Sequence, residues 1–551
     1  MKAASRSPSG RTGLPARSPA PTTDRRRAGG VPLLLLVCLA LQPALGQDSQ
    51  NPFQERITSL LEQPRHRSAF WGLQIIRLDN REILFAHNAG KRFQPASNMK
   101  LLVAAAALDL WGPDHRFRTP VFLEGRLDGR GRAIGNLVLA GRGDPNPERR
   151  LYDPEEKDLP IQESSPFIEG IADQLEERGI RRVEGDIVAD TTYFLDEPHG
   201  GDWEQEDMFW HYGAPSSALA VFENVFRVSL SPGAATGDPA LLEVTPAQES
   251  PEVVNRVGTG PPGGKPDIRI GADRSGSRVT LLGSLPLNRP PLTYGLAVSD
   301  PALNAARYLK SALERRGIAV NGQPRVRALA PIEVLEERKI SLERVREKQF
   351  VYGEQQELAS WQSLPLIDNL RILIKSSRNL YGEMLLRRLG AEVSGVGSLQ
   401  TGLQALEDFL EKAGIGAGPL DFSDGSGLSR TNLLTPESVV GLLQTMERHP
   451  RAAEFRDCLP VAGRDGTLKE RMKGTAAEGR VLAKTGTLKF VSSLSGYVTS
   501  LDGTPLAFSI MANNTRSSPR EARRAIDAIC ALMAGSRLKP STAAGRPEER
   551  R

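Results

Sequence analysis

The sequence predicts an α/β (α+β) fold: an antiparallel five-stranded sheet flanked by helices, with a helical lobe and a large inserted β-rich domain carrying a smaller nested one. Three observations predict it. Strand-like runs stand near both ends of the chain, two early and three late, with an amphipathic helix outside each set. Helical periodicity returns over Ile367 to Leu389 and Gly397 to Ala413. Between these regions, residues from about Arg118 to Arg327 alternate β-like runs with Gly- and Pro-rich turns.

In chain order, Phe53, Ile57, Leu60 and Leu61 give residues 51–63 a helical stripe. Trp71 to Leu78 and Glu82 to His87 read as a hairpin around Asp79-Asn80. An alanine-rich apolar run then ends at Trp111-Gly112-Pro113, where glycine and proline stop a helix. Within the insertion, Leu137 to Ala140, Arg182 to Ala189 and Phe226 to Leu230 read as strands, and Asp300 to Gly317 as a helix. The charged stretch 331–356 reads as a surface connection. Arg480 to Leu488, Ser492 to Ser500 and Pro505 to Asn513 read as strands, the last two joined at Leu501-Asp502-Gly503. Pro519 to Ala534 reads as a final helix. The predicted organisation is a leader over 1–46, a first piece of one domain over 47–117 and an insertion over 118–330. A nested part covers about 231–291, a connection 331–356, the second piece of the first domain 357–535, and a disordered tail 536–551.

The leader dominates the charge. Lys2, Arg6, Arg11, Arg17, Arg25, Arg26 and Arg27 face the single acid Asp24 there, and acids and bases nearly balance beyond residue 46. The formal charge of +5 is therefore no argument for a nucleic-acid partner. Basic residues, the apolar run Val31 to Leu41 and Ala44-Leu45-Gly46 form an export signal cleaved near Gly46. A retained membrane anchor is the alternative, and Arg26-Arg27 permits a twin-arginine route. Cleavage leaves Cys458 and Cys530, too few for a disulfide framework, and their pairing stays open.

Three motifs carry the chemistry: Ser97-Asn98-Met99-Lys100, Ser377-Arg378-Asn379 and Lys484-Thr485-Gly486. Singly they are weak, since SxxK recurs at Ser536 to Lys539 and SxN at Ser49 to Asn51. Their order and contexts argue for a serine acyl-transfer site. Ser97 opens an apolar helix, and Lys100 lies one turn on, where burial favours a neutral amine able to take the serine proton. Lys484 is the second cation that would lower the Lys100 pKa. Ser377 relays a proton to the leaving amine, and Asn379 holds Lys100 and a substrate amide. Thr485, Gly486 and Thr487 lie on a strand that can pair with an extended peptide, with Gly486 allowing close backbone approach. The backbone N–H groups of Ser97 and Thr487 make the candidate oxyanion hole.

Longer strings add a resemblance. Phe93 to Leu101, Gly143-Asp144-Pro145, Trp203 through Asp207 to Pro215, Ser217-Ala218-Leu219, Glu223-Asn224, Asp424 to Arg430, Gly466-Thr467-Leu468 and Lys484 to Leu488 carry it. On these, the chain resembles the D-alanyl-D-alanine carboxypeptidase/endopeptidase branch of low-molecular-mass penicillin-binding proteins, from about residue 50 to 535. The resemblance implies a penicillin-binding/β-lactamase-like transpeptidase domain. It implies cleavage of D-Ala–D-Ala termini of peptidoglycan stem peptides, and of D-Ala–diaminopimelate crosslinks, through an acyl-enzyme on Ser97. β-Lactams become covalent inhibitors. No metal or cofactor is implied. Asp207, Tyr212 and Arg430 fall where the family recognises the free end of the substrate side chain, and Leu488 where it lines the pocket.

A serine β-lactamase shares the motifs, but places SxxK and SxN much closer together. A non-catalytic wall-binding protein of the same fold is a second alternative, opposed by the intact Ser97, Lys100, Ser377, Asn379 and Lys484. The sequence identifies no protein partner. It is compatible with peripheral wall or membrane association, and with a periplasmic or extracellular location.

Overall fold

The computed structural model describes residues 52–538 except 156–161, 274, 349–351, 353–354, 417–419 and 516–518. The leader reading and the tail beyond 538 lie outside the described residues.

Five antiparallel strands run in the order Val481–Leu488, Val491–Thr499, Pro505–Asn513, Phe70–Arg77, Ile83–His87. The two ends of the chain close the sheet: Phe70 pairs with Asn513 and Arg77 with Leu506. Val491 to Val498 are buried throughout, as a central strand covered on both faces requires. One face carries the helices Pro52–Leu61 and Pro519–Gly535, whose Ile57, Ile526 and Ile529 are completely buried. The other face carries the helical lobe around Met99–Trp111. Met99 to Leu108 are all buried, which explains a helix that is apolar all round rather than striped. Cys458 and Cys530 are free and buried, and they belong to the cores on opposite sides of this sheet.

The insertion has its own seven-stranded sheet and core. The order Ala319–Val320, Arg182–Val183, Arg132–Ala140, Arg118–Leu127, Gln356–Gln362 is joined by Ile187–Leu195 and Pro324–Leu329. Strand Gln356–Gln362 pairs with Arg118–Leu127, so the insertion's sheet reaches past 356, where the sequence suggested a return to the first domain. Gly185 separates what the sequence read as one strand, Arg182 to Ala189, into two. Two three-stranded sheets share a further core including Phe226, Leu281, Leu285 and Leu296. This nested unit includes Val225–Ser231 and Leu292–Ala297, so it is wider than 231–291.

The connection 331–356 is docked as well as charged. Leu335 and Val345, on the short helices Ile332–Glu337 and Leu342–Lys348, pack with Leu195 and Val396. The Tyr352 hydroxyl donates to buried Asp190. The start of the tail is also held: Leu538 N–H donates to Asp502 Oδ2 at 2.6 Å. The helical run Ile367 to Leu389 breaks in two, into Leu366–Lys375 and Asn379–Ser394. Between them Ser377 has φ +58°, a left-handed conformation that no amphipathic periodicity reveals.

Candidate active site

The turn Ala96–Asn98 puts Ser97 just ahead of helix Met99–Trp111, with Lys100 in the first helical turn. Asn98 pins this turn to the sheet, donating to Ser495 Oγ at 2.9 Å. The loop Asp424 to Ser429 presses on it from the other side. A Cβ on Gly427 would stand 1.9 Å from the Ala96 carbonyl oxygen, and φ is +82° there, so only glycine fits.

Lys100 is completely buried. Its Nζ lies 2.9 Å from Ser97 Oγ and 2.7 Å from Asn379 Oδ1, and it donates to the Ser426 carbonyl. Burial lowers the Lys100 pKa to about 7, against the opposing pull of Asp424 and Glu383. Lys484 is also completely buried, with Nζ 2.7 Å from Ser377 Oγ and 2.9 Å from the Thr485 carbonyl. Its pKa falls well below the ordinary lysine value through burial and then through the charge of Lys100. Carboxylates stand near Lys100, and the repulsion between the two amines is mutual, so a proton on either disfavours a proton on the other. The arrangement favours at most one proton charge shared between the two amines.

The strand Val481–Leu488 brings Lys484, Thr485, Gly486 and Thr487 to the same wall. The open side of Gly486 faces protein here: a Cβ would lie 2.1 Å from Ser493 Oγ and 2.6 Å from the Pro95 carbonyl. Its missing side chain thus lets the serine turn lie flat on the strand. The Thr485 hydroxyl donates to Thr467 Oγ1 at 2.8 Å.

A pocket with a volume of about 550 Å³ opens over these groups. Ser97, Asn379, Asp207, Tyr212, Arg430, Thr487 and Leu488 line it, whereas Lys100, Ser377, Lys484, Thr485 and Gly486 are not in its lining. The insertion supplies one wall. Asn379 Nδ2 donates to the Tyr212 carbonyl at 2.7 Å. Burial raises the Asp207 pKa, and burial with Asp207 beside it pushes the Tyr212 hydroxyl up to about 12. Glu204, Glu206 and Lys489 also line the pocket, and Arg430 forms an ion pair with Glu204. Trp203 is not in this lining: its Nε1 donates to Asp424 Oδ2 at 2.9 Å.

Sequence reasoning missed the carboxylates behind Lys100. Glu383 is completely buried, and its Oε1 accepts from Gly425 N–H at 3.0 Å and Ser426 N–H at 2.8 Å. Asp424 accepts from Gly427 and Ser429 N–H, both at 2.6 Å, and from Asn432 Nδ2 at 2.8 Å. Together they shape the loop that offers the Ser426 carbonyl to Lys100. The Asp424 to Arg430 string was the available signal. Glu383, inside a helical pattern, gave none. Among the described residues no cluster of three or more His, Cys, Asp or Glu side chains could hold a metal.

A hydroxyl against a buried amine, with a second amine–serine pair alongside, is an arrangement suited to acyl transfer through a serine. The D-Ala-D-Ala carboxypeptidase 3 (S13) family model matches residues 53–331 and 335–533. The chain is 35% identical over 527 residues to a D-alanyl-D-alanine carboxypeptidase of Actinomadura sp. (strain R39), covering 91% of each. It is 26% identical over 436 residues to D-alanyl-D-alanine carboxypeptidase DacB of Haemophilus influenzae, covering 78% of this chain and 82% of the relative. In fold it is similar to the crystal structure of penicillin binding protein 4 (dacB) from H. influenzae. The TM-score is 0.71 at 24% identity, over 86% of this chain and 98% of that one. The chain belongs to the D-Ala-D-Ala carboxypeptidase 3 (S13) family, and its activity class is that of a hydrolase.

Proposed function

We propose that the chain is an exported DD-peptidase that removes the terminal D-Ala of peptidoglycan stem peptides, splits D-Ala–diamino acid crosslinks, and is acylated by β-lactams. One observation carries the reading: Ser97 Oγ, Lys100 Nζ and Asn379 Oδ1 form an unbroken contact chain at 2.9 and 2.7 Å, with Ser377 and Lys484 paired beside it. Neutral Lys100 takes the Ser97 proton as Oγ attacks the penultimate D-Ala carbonyl. The backbone N–H groups of Ser97 and Thr487 receive the developing oxyanion. Ser377, beside Lys484, passes a proton to the leaving amine. Water then releases the acyl group from Ser97. Asp207, Tyr212 and Arg430 meet the free end of the side chain, and Leu488 the apolar part of the substrate.

Digestion of purified crosslinked muropeptides, with products identified by mass, tests this. Loss of one D-Ala and conversion of dimers to monomers are the expected results. Unchanged muropeptides overturn the reading, and rapid penicillin turnover in place of stable acylation favours a β-lactamase.

The pH dependence follows from the lowered pKa of Lys100. The amine acts as base only when uncharged, so acylation should rise with pH through about 7 and then level off. Rates of acylation by a fluorescent penicillin, followed from mildly acid to mildly alkaline pH, check this. A flat profile contradicts it.

A further inference from the structure

Three consecutive non-glycine residues of the insertion, Phe222, Glu223 and Asn224, have φ of +53°, +55° and +57°. Left-handed conformations of side-chain-bearing residues normally occur singly, so a whole left-handed turn needs compensating bonds. It has them at both ends. Phe222 N–H donates to Glu148 Oε1 at 3.1 Å, and Asn224 Nδ2 donates to the Pro215 carbonyl at 2.8 Å. The middle residue, Glu223, is left to meet two arginines. One carboxylate oxygen pairs with Arg150, and the other lies 3.6 Å from Arg378 Nε. The side chains are 9%, 16% and 18% exposed for Glu223, Arg150 and Arg378, so water screens these pairs poorly.

Arg378 is the central residue of Ser377-Arg378-Asn379. On one side of it Ser377 is itself held left-handed, and on the other Asn379 is held by the Tyr212 carbonyl. We propose that Glu223 is a positioning residue: through Arg378 it keeps Ser377 and Asn379 at the distances from Lys484 and Lys100 that acyl transfer needs. The insertion thereby completes the site from outside the domain that carries the nucleophile. Among the described residues Glu223 pairs with Arg150 and Arg378 and not with Ser97 or Lys100, so it acts through the loop.

This inference rests on the acyl-transfer reading above, and the test separates the two. Penicillin acylation is measured for the wild type, Glu223→Gln, Arg378→Gln, the double variant and Arg150→Gln, with melting temperature recorded for each. Glu223→Gln and Arg378→Gln are each expected to slow acylation roughly tenfold to a hundredfold, as small misplacements of reacting groups do. The loss should fall on the limiting rate at saturating penicillin, with little change in the half-saturating concentration. The double variant should be no slower than the slower single variant, because both remove one link. Arg150→Gln keeps the Glu223–Arg378 contact and should lose less. Wild-type acylation rates in folded Glu223→Gln, or single effects that multiply in the double variant, overturn the proposal. Should Glu223→Gln fail to fold, Arg378→Gln decides: a wild-type rate there overturns it too. An unlabelled wild-type protein instead removes the acyl-transfer reading, and this proposal with it.

Discussion

Lys100→Met is expected to slow acylation of Ser97 by penicillin roughly 10²- to 10⁴-fold, the usual contribution of a positioned base. Methionine fills nearly the same buried volume, so the loss isolates the amine. Ser97 Oγ, Asn379 Oδ1 and the Ser426 carbonyl each lose a hydrogen-bonding contact with Lys100 in the variant. The step near pH 7 should vanish with the amine. Residual acylation in Lys100→Met should show the titration of Lys484 alone, its pKa still lowered by burial but no longer by the neighbouring charge. Stopped-flow labelling with a fluorescent penicillin, using Ser97→Ala as the unlabelled control, measures both effects. A Lys100→Met protein that acylates within tenfold of the wild type would remove Lys100 as the base.

Arg387→Met should destabilise the protein by about 3–5 kcal/mol, because it strands a buried carboxylate. Glu383 and Arg387 are 0% and 1% exposed and pair at 2.9 Å. Burial and Asp424 raise the Glu383 pKa, while Arg387 opposes the rise. The sign of the pH effect follows. A raised pKa means the folded state binds a proton more readily than the unfolded state, so lowering the pH favours folding. Without Arg387 that rise is larger. The stability lost in Arg387→Met should therefore be partly restored at mildly acid pH, where Glu383 can become neutral. Urea midpoints at two pH values check this. Equal losses at both would show that the carboxylate is not stranded. Acylation should weaken as well, since Glu383 fixes the Ser426 N–H and with it the carbonyl that Lys100 meets.

Much of this was readable along the chain because the terminal strands announce themselves through β-branched and aromatic runs. Helix Met99–Trp111 does so through its alanines and its Gly112 stop. Ser97 and Lys100 were readable because three motifs, each weak alone, stand in one order, and Lys100 leads directly into an apolar run. The bend at Ser377 was not: helical periodicity runs on through it, and the partners of Ser377 and Asn379, Lys484 and the Tyr212 carbonyl, lie far away in sequence. The docking of 331–356 was hidden by its charge, since a few apolar side chains such as Leu335 and Val345 suffice to seat it. The carboxylates Glu383 and Asp424, which act on Lys100 against its burial, come from distant segments that local sequence cannot connect to it.

The pairing of Phe70–Arg77 with Pro505–Asn513 has a consequence for biogenesis. A ribosome delivers the serine early and three of the five strands that frame it last. The insertion has a core of its own and can condense while the remainder is still being made. The nucleophile's scaffold must wait for the closing hairpin, so a nascent or C-terminally clipped chain carries Ser97 and Lys100 without the completed sheet that holds the site together.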